Sequence, residues 1–209
     1  MDNTCPFCDL TQVGERYIYG NGLFHVAATL GQITDGGYTI IFPAKHVPCI
    51  GAMAMWEATE LQRLKQSIIA ALEDIYKTGW VAFEHGIFGQ SITHAHLHVL
   101  PFPSRLYPHV RHDFPDAQIV RLAGPEGLSR AWSRRSEPYL YWESSLEPPH
   151  VCWVGSAPDQ KQYFRKLIAC EMGRPDRADW RIVDPTADRK LYLETVARLK
   201  LYLANPCFC

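Results

Sequence analysis

Three histidines at strict alternation, His94, His96 and His98, lie in the run Gln90-Ser91-Ile92-Thr93-His94-Ala95-His96-Leu97-His98-Val99-Leu100-Pro101. In an extended strand successive side chains point to opposite faces. The three imidazoles then stand in a row, roughly 6.5–7 Å apart, while Ala95, Leu97 and Val99 enter a core on the other face. That spacing suits a nucleophile flanked by a metal ligand and a group that binds phosphate or handles protons. Imidazole can fill each role near neutral pH. The plainer alternative is a chance cluster on a solvated strand, and the apolar or small spacers weigh against it. A second chemical pair is Cys5-Pro6-Phe7-Cys8. Two thiolates with this spacing form half of a tetrahedral Zn²⁺ site. A redox couple and plain thiols are the other readings, the first without any thioredoxin-like context.

The elements that must position these residues read as follows. Residues 17–26 are aromatic and β-branched around a Gly20-Asn21-Gly22 turn, and Asp35-Gly36-Gly37 leads into a β-prone run from Tyr38 to Pro43. The clearest helix covers residues 55–77, with Trp56, Leu61, Leu64, Ile68, Ile69 and Leu72 at helical spacing and Gly79 as its stop. A strand at 80–84, a loop from His85 to Gly89 and the histidine strand follow. Residues 102–137 read as loops with limited regular structure, 139–143 and 150–154 as strands, and 158–172 and 188–203 as helices. Strands interrupted by single helices describe an α+β unit with helices against an antiparallel sheet.

The chain of 209 residues, 47% hydrophobic and 21% charged, falls among ordinary globular proteins. A net charge of −1 supplies no basic field for nucleic acid, so bound phosphates must be met locally. No apolar run is long enough to span a bilayer. The segment from Met1 to Cys5 has neither a basic flank nor an apolar stretch, and the seven cysteines are an odd number. A reducing, cytoplasmic setting with thiols and metal is the expectation. The tail Pro206-Cys207-Phe208-Cys209 is similar to the paired cysteines of some prenylated small GTPases, with nothing else to support a lipid anchor.

Gly89-Gln90-Ser91 followed by the alternating histidines resembles the signature of the histidine triad (HIT) superfamily. Phe42-Pro43-Ala44-Lys45-His46 resembles the proline-lysine-x-histidine segment of the same family. The resemblance covers roughly residues 1–103 and implies a HIT-like nucleotide-binding catalytic domain, with residues 104–209 as a C-terminal α/β extension packed on it.

The resemblance also implies roles. His96 attacks the α-phosphorus of a nucleotide and becomes a nucleotidyl-histidine, which water or a second acceptor resolves. His98 binds phosphate oxygens, and Gln90 and Ser91 hydrogen-bond phosphate or the bridging oxygen, unless they serve only the turn before the strand. His46 and His94 join Cys5 and Cys8 in a structural Zn²⁺ site. Many family members carry an asparagine where His85 stands, so either His85 takes over its contact with the phosphate or the nucleophile, or that role is missing. The nucleoside pocket falls to Phe7, Leu23, Phe24 and Ile33, with Asp35 on the ribose, although each apolar residue could equally be core. His25, His109, His112 and His150 read as packing or surface residues.

In the second half, Arg165, Arg174, Arg177 and Arg181 could meet phosphate or form a solvated helix face. The layout there is loosely similar to splicing-associated HIT-like proteins, galactose-1-phosphate uridylyltransferases and dinucleoside polyphosphate phosphorylases. The leading function is hydrolysis of a nucleoside monophosphate from a phosphoanhydride, phosphoramidate or adenylated substrate. Transferases of the uridylyltransferase branch usually have glutamine where His98 stands. The alternatives are a nucleotidyltransferase, phosphorylase or biosynthetic enzyme with the same intermediate, and a non-catalytic nucleotide- or RNA-processing binding protein. The expected partner is a small nucleotide, with no membrane and no nucleic acid. The chain is expected to be a monomer, the extension imitating a second subunit, or a homodimer.

Overall fold

A computed structural model describes residues 5–155, 157 and 160–204. The tail at 206–209 and the expected helix start at Pro158 lie outside the described residues. The β-prone runs form β1 (Tyr17–Gly20), β2 (Phe24–Ala28), β3 (Thr39–Pro43), β4 (Val81–Gly86) and β5 (Leu97–Leu100). Asn21 closes the first hairpin, its side-chain oxygen accepting from the N–H groups of Leu23 (3.1 Å) and Phe24 (2.9 Å). The long helix α2 (Met55–Tyr76) is capped by the Glu57 carboxylate, which accepts from the Ala54 N–H at 2.8 Å. It ends on Lys77 in the left-handed region at φ +52° rather than on Gly79. Gly79 answers another need, because a Cβ there would lie 2.3 Å from Ser145 Oγ.

The stretch read as loops holds α3 (Tyr107–Asp113), β6 (Gln118–Arg121) and α4 (Pro125–Arg135), short elements whose order comes from packing more than from their own periodicity. Strands β7 (Tyr139–Ser144) and β8 (Glu147–Trp153) and helices α5 (Tyr163–Glu171) and α6 (Pro185–Leu203) complete the second half. All eight strands form one antiparallel sheet in the order β1-β2-β3-β5-β4-β7-β8-β6. The strands of the second half therefore do not pack as a layer on the first sheet. They continue it edge to edge, β7 pairing with β4 from Val81↔Ser144 to Gly86↔Tyr139.

Alternation along the strands divides the core between two faces. On one, α2, α4 and α6 bury Leu61, Ile68, Leu128 and Val196 against Val26, Leu97, Val99 and Tyr141. On the other, α3 and α5 bury Val110, Phe164 and Ile168 against Val81, Phe83, Leu140 and Trp142. The chain start, with α1 (Leu10–Val13), covers the far end of that second face by packing Phe7 and Val13 on Ala27, Ile40 and Phe42. Strand β5 runs between the two covers, and the register partners Ile40↔His98 and Phe83↔His98 put His98 on the face they share.

One buried ion pair ties the halves on the helical face. Lys65 of α2 donates to Glu143 of β7, both side chains at least 95% buried, and the Tyr141 hydroxyl donates to the same carboxylate oxygen at 2.7 Å. Removing one partner leaves a buried charge alone, which costs about 3–5 kcal/mol. Lys65→Met is expected to lose that much in urea denaturation, and Lys65→Met/Glu143→Leu to regain most of it. A double variant as unstable as the single one would refute the account.

Candidate active site and metal-binding cluster

Strand β5 begins at Leu97, so only His98 of the three histidines belongs to it. His94 and His96 sit on its approach, held there by the Ala95 N–H donating to the Val47 carbonyl at 2.7 Å. The expected strand is thus shorter, but the alternation holds. Ala95, Leu97 and Val99 enter the α2 side of the core, and His96 and His98 face the cleft.

Each imidazole has one ring nitrogen engaged by the protein. His96 Nδ1 lies 2.6 Å from the His94 carbonyl oxygen. A carbonyl only accepts, so Nδ1 carries the proton and Nε2 keeps its lone pair. His98 Nδ1 lies 2.9 Å from the Tyr38 hydroxyl. His85 Nε2 accepts the Phe164 N–H at 3.1 Å. His98 stacks on Phe83 with ring centroids 4.6 Å apart, and Phe7 meets His96 edge-on at 5.4 Å. Burial in this aromatic frame lowers the pKa of His96, takes that of His98 well below its usual range and takes His85 down to about 3, the neighbouring His96 adding to the last two shifts. All three are neutral rings at physiological pH.

The cleft has a volume of about 250 Å³, close to the lower end of small-molecule sites at roughly 300–1,000 Å³. Phe7, Leu30, Ile92 and Trp180 give it apolar walls. Its polar groups include the three imidazoles, Ser91, Arg16 and Arg165, and no carboxylate among the described residues lines it. Gly89 also borders it at φ +70°, where the chain passes so close to Gln160 that a Cβ would lie 2.5 Å from its carbonyl oxygen.

Several expected residues are elsewhere. Gln90 donates to the Pro48 carbonyl at 3.1 Å and is not part of the cleft lining. Phe24 is 1% exposed in the core covered by α2, α4 and α6, on the opposite face from the cleft, because alternation along β2 turns it there. Ile33 is buried with the α5 cluster, and Leu23 is exposed. Asp35 binds Arg174 at 2.6 Å and Arg177 at 3.2 Å, so all three are taken up by one another. Arg181 pairs with Asp179. Arg165 alone of the four arginines reaches the cleft, and its guanidinium donates to backbone carbonyls of Leu30, Gly31, Arg177 and Ala178. The sequence assigned no function to Arg16, Tyr38, Gln162 or Trp180.

Beside the cleft, Cys5, Cys8, His46 and His94 each present one donor atom, all within 4.8 Å of one another. Sulfur to Nδ1 separations are 3.4 Å (Cys5 to His94), 3.2 Å (Cys8 to His46) and 3.6 Å (Cys8 to His94). A tetrahedral ion with bonds of about 2.0–2.3 Å holds its ligand atoms roughly 3.3–3.8 Å apart. His94 Nε2 donates to the Pro43 carbonyl at 2.9 Å, which leaves its Nδ1 lone pair for the cluster. The group can hold a metal ion.

No family model and no curated protein matches the chain. Among solved structures, a hypothetical histidine triad nucleotide-binding protein from Sulfolobus tokodaii is 22% identical, the match covering 46% of this chain and 68% of that one at a TM-score of 0.42. The chain is similar to solved histidine triad proteins. A HIT family hydrolase from Clostridium thermocellum is 18% identical over 49% of this chain and 93% of its own, with a TM-score of 0.41. A HIT family member from Bacillus subtilis is 16% identical over 64% and 97%, with a TM-score of 0.42.

His85 yields a pH test. Its ordinary pKa of 6.5 applies in the unfolded chain, and burial lowers it to about 3 in the fold. The unfolded chain therefore binds the proton more tightly. The contribution of His85 to stability is full above pH 6.5 and is lost as pH falls toward 3. Between pH 7 and 4 the wild type is expected to lose more stability than His85→Asn, as read from urea midpoints; parallel curves would contradict this.

Proposed function

We propose that the chain is a nucleotide hydrolase that cleaves a nucleoside monophosphate from a phosphoanhydride, phosphoramidate or adenylated substrate, through a covalent intermediate on His96. One observation carries the reading: the His94 carbonyl holds the proton on His96 Nδ1, so the lone pair on Nε2 belongs to a cleft lined by arginine and histidine, with no carboxylate among the described residues. A neutral imidazole with a free lone pair is a competent nucleophile at pH 7. A cleft of positive character suits a phosphorylated ligand.

In the first step Nε2 forms a bond to the α-phosphorus. The bond from phosphorus to the leaving group breaks, and the leaving group departs with that electron pair. Water then adds to phosphorus, the P–N bond breaks back onto Nε2, and the nucleoside monophosphate leaves as a proton passes to solvent. His98 and Ser91 line the same cleft and meet the phosphoryl oxygens, where catalysis of this type does most of its work by positioning and charge stabilisation. Transfer to another acceptor would use the same intermediate. The apolar walls around Phe7, Leu30 and Trp180 suit a nucleoside or an apolar leaving group.

Cys5, Cys8, His46 and His94 are assigned to Zn²⁺, whose preference is four N/S donors in a closed tetrahedron. Bound there, the ion would supply a structural cross-link between the chain start, the end of β3 and the approach to β5. His94 then has two duties, its ring in the cluster and its carbonyl on His96.

Incubation with radiolabelled dinucleoside polyphosphates, adenosine phosphoramidate and adenylated compounds is expected to give an acid-labile nucleotidyl-protein adduct. His96→Ala should abolish it and reduce turnover by at least roughly a thousandfold. A wild type that forms no adduct with any of them, and whose activity His96→Ala leaves untouched, would sink the enzymatic reading. Zinc is expected in stoichiometric amount in the wild type and strongly depleted in Cys5→Ser and Cys8→Ser. Undiminished metal in both variants would rule out this assignment.

A further inference from the structure

The second half contributes more than a wall to the cleft. Of two consecutive residues in the first turn of α5, Phe164 bonds a cleft imidazole and Arg165 lies over the ring of Tyr38, the partner of another. The Phe164 N–H donates to His85 Nε2 at 3.1 Å. A nitrogen that accepts carries a lone pair, so the proton of neutral His85 is on Nδ1. His85 lines the cleft while only 5% exposed, and its Nδ1 has no partner among the described residues.

Arg165 follows in the chain, its guanidinium over the Tyr38 ring at 5.5 Å. Tyr38 is fully buried, and His98 Nδ1 at 2.9 Å is the one hydrogen-bond partner of its hydroxyl among the described residues, so the O–H donates there instead of lying buried without an acceptor. The proton of neutral His98 is therefore on Nε2. Burial of Tyr38 raises its pKa to about 12, which keeps that O–H in place across the physiological range.

We propose that the Phe164 N–H and the Tyr38 hydroxyl set the protons of two cleft histidines, so that His85 Nδ1–H and His98 Nε2–H are paired donors for one phosphoryl group in front of the His96 Nε2 lone pair. Three imidazoles on one sheet face thus become one nucleophile and two neutral donors. The difference comes from what binds the other nitrogen of each ring: the His94 carbonyl, the Phe164 N–H and the Tyr38 hydroxyl. Phe164 and Tyr38 act as positioning residues, and through Phe164 the second half becomes part of the reactive machinery. The choice of a phosphoryl ligand rests on the nucleotide reading above, whereas the proton positions rest on hydrogen bonds alone.

The test uses the full chain with ¹⁵N-labelled histidine. Ring spectra from pH 5 to 8 are expected to show His85 protonated on Nδ1 and His98 on Nε2. Tyr38→Phe should let His98 populate both tautomers and leave His85 unchanged, an effect that general loosening would not confine to one ring. The opposite tautomer at either ring overturns the proposal. Titration then compares AMP with adenosine. His85→Leu is expected to weaken AMP binding about 10- to 100-fold, the loss of one hydrogen bond to a charged group, and to leave adenosine binding unchanged. His85→Asn places a side-chain N–H near the position of Nδ1 and should recover at least tenfold over His85→Leu. Equal AMP affinity of His85→Leu and wild type would overturn the role of His85 as a donor. Both tautomers as assigned, with no AMP binding by the wild type, would instead overturn the phosphoryl ligand and the nucleotide reading while the proton assignment stands.

Discussion

The Nδ1–H of His96 donates to the carbonyl oxygen of His94, and that bond decides which nitrogen of the imidazole is available to a ligand. The same residue turns its own ring the other way. His94 Nε2–H is spent on the Pro43 carbonyl at the end of β3, and its Nδ1 joins Cys5, Cys8 and His46. Backbone and side chain of one residue therefore couple a cluster that can hold a metal ion to the imidazole two positions on. An ion bound at the cluster would fix the peptide that orients His96, and motion of the chain start would be felt at the cleft.

The sheet explains why the cleft lies where it does. One face is covered throughout by α2, α4 and α6. The other is covered in two pieces, by the segment from Cys5 to Val13 over β2 and β3 and by α3 and α5 over β4, β7 and β8. His98 stands on the strand between those covers. The gap buries its imidazoles enough to keep them neutral and leaves them open to a small molecule. The second half also fastens the rim. Asp188 of α6 accepts from the N–H groups of Gly31 (2.8 Å) and Gln32 (2.6 Å), and Thr195 accepts from that of Gly37 at 2.8 Å. These bonds hold the β2–β3 loop, which brings Thr29 and Leu30 to the cleft.

Buried ionisable groups are placed with the same economy. Lys65 and Glu143 satisfy one another across α2 and β7. Glu84, fully buried on β4, accepts from the Ile50 N–H at 2.8 Å and from the Tyr139 hydroxyl, and burial raises its pKa to about 8. Both clusters bind the first half to β7, so the shared edge of the sheet is polar in its fastenings and apolar in its faces.

The sequence by itself determined the histidine row, the Cys-x-x-Cys pair, the long amphipathic helix and most strands of the sheet, because these rest on period and composition within a few residues. It also supplied the donor set of the metal cluster through the resemblance around His46 and His94. Only the tertiary structure decided that β7 continues the sheet beside β4, that Asp35 is spent on Arg174 and Arg177, and that Phe24 lies in the core on the face away from the cleft. The same holds for the protons on the imidazoles. A ring nitrogen takes its role from the one partner within hydrogen-bond reach. For His85 and His98 those partners are the Phe164 N–H, 79 residues along the chain, and the Tyr38 hydroxyl, 60 residues back. Spacing along one strand cannot carry that information, because it is written in contacts between distant segments.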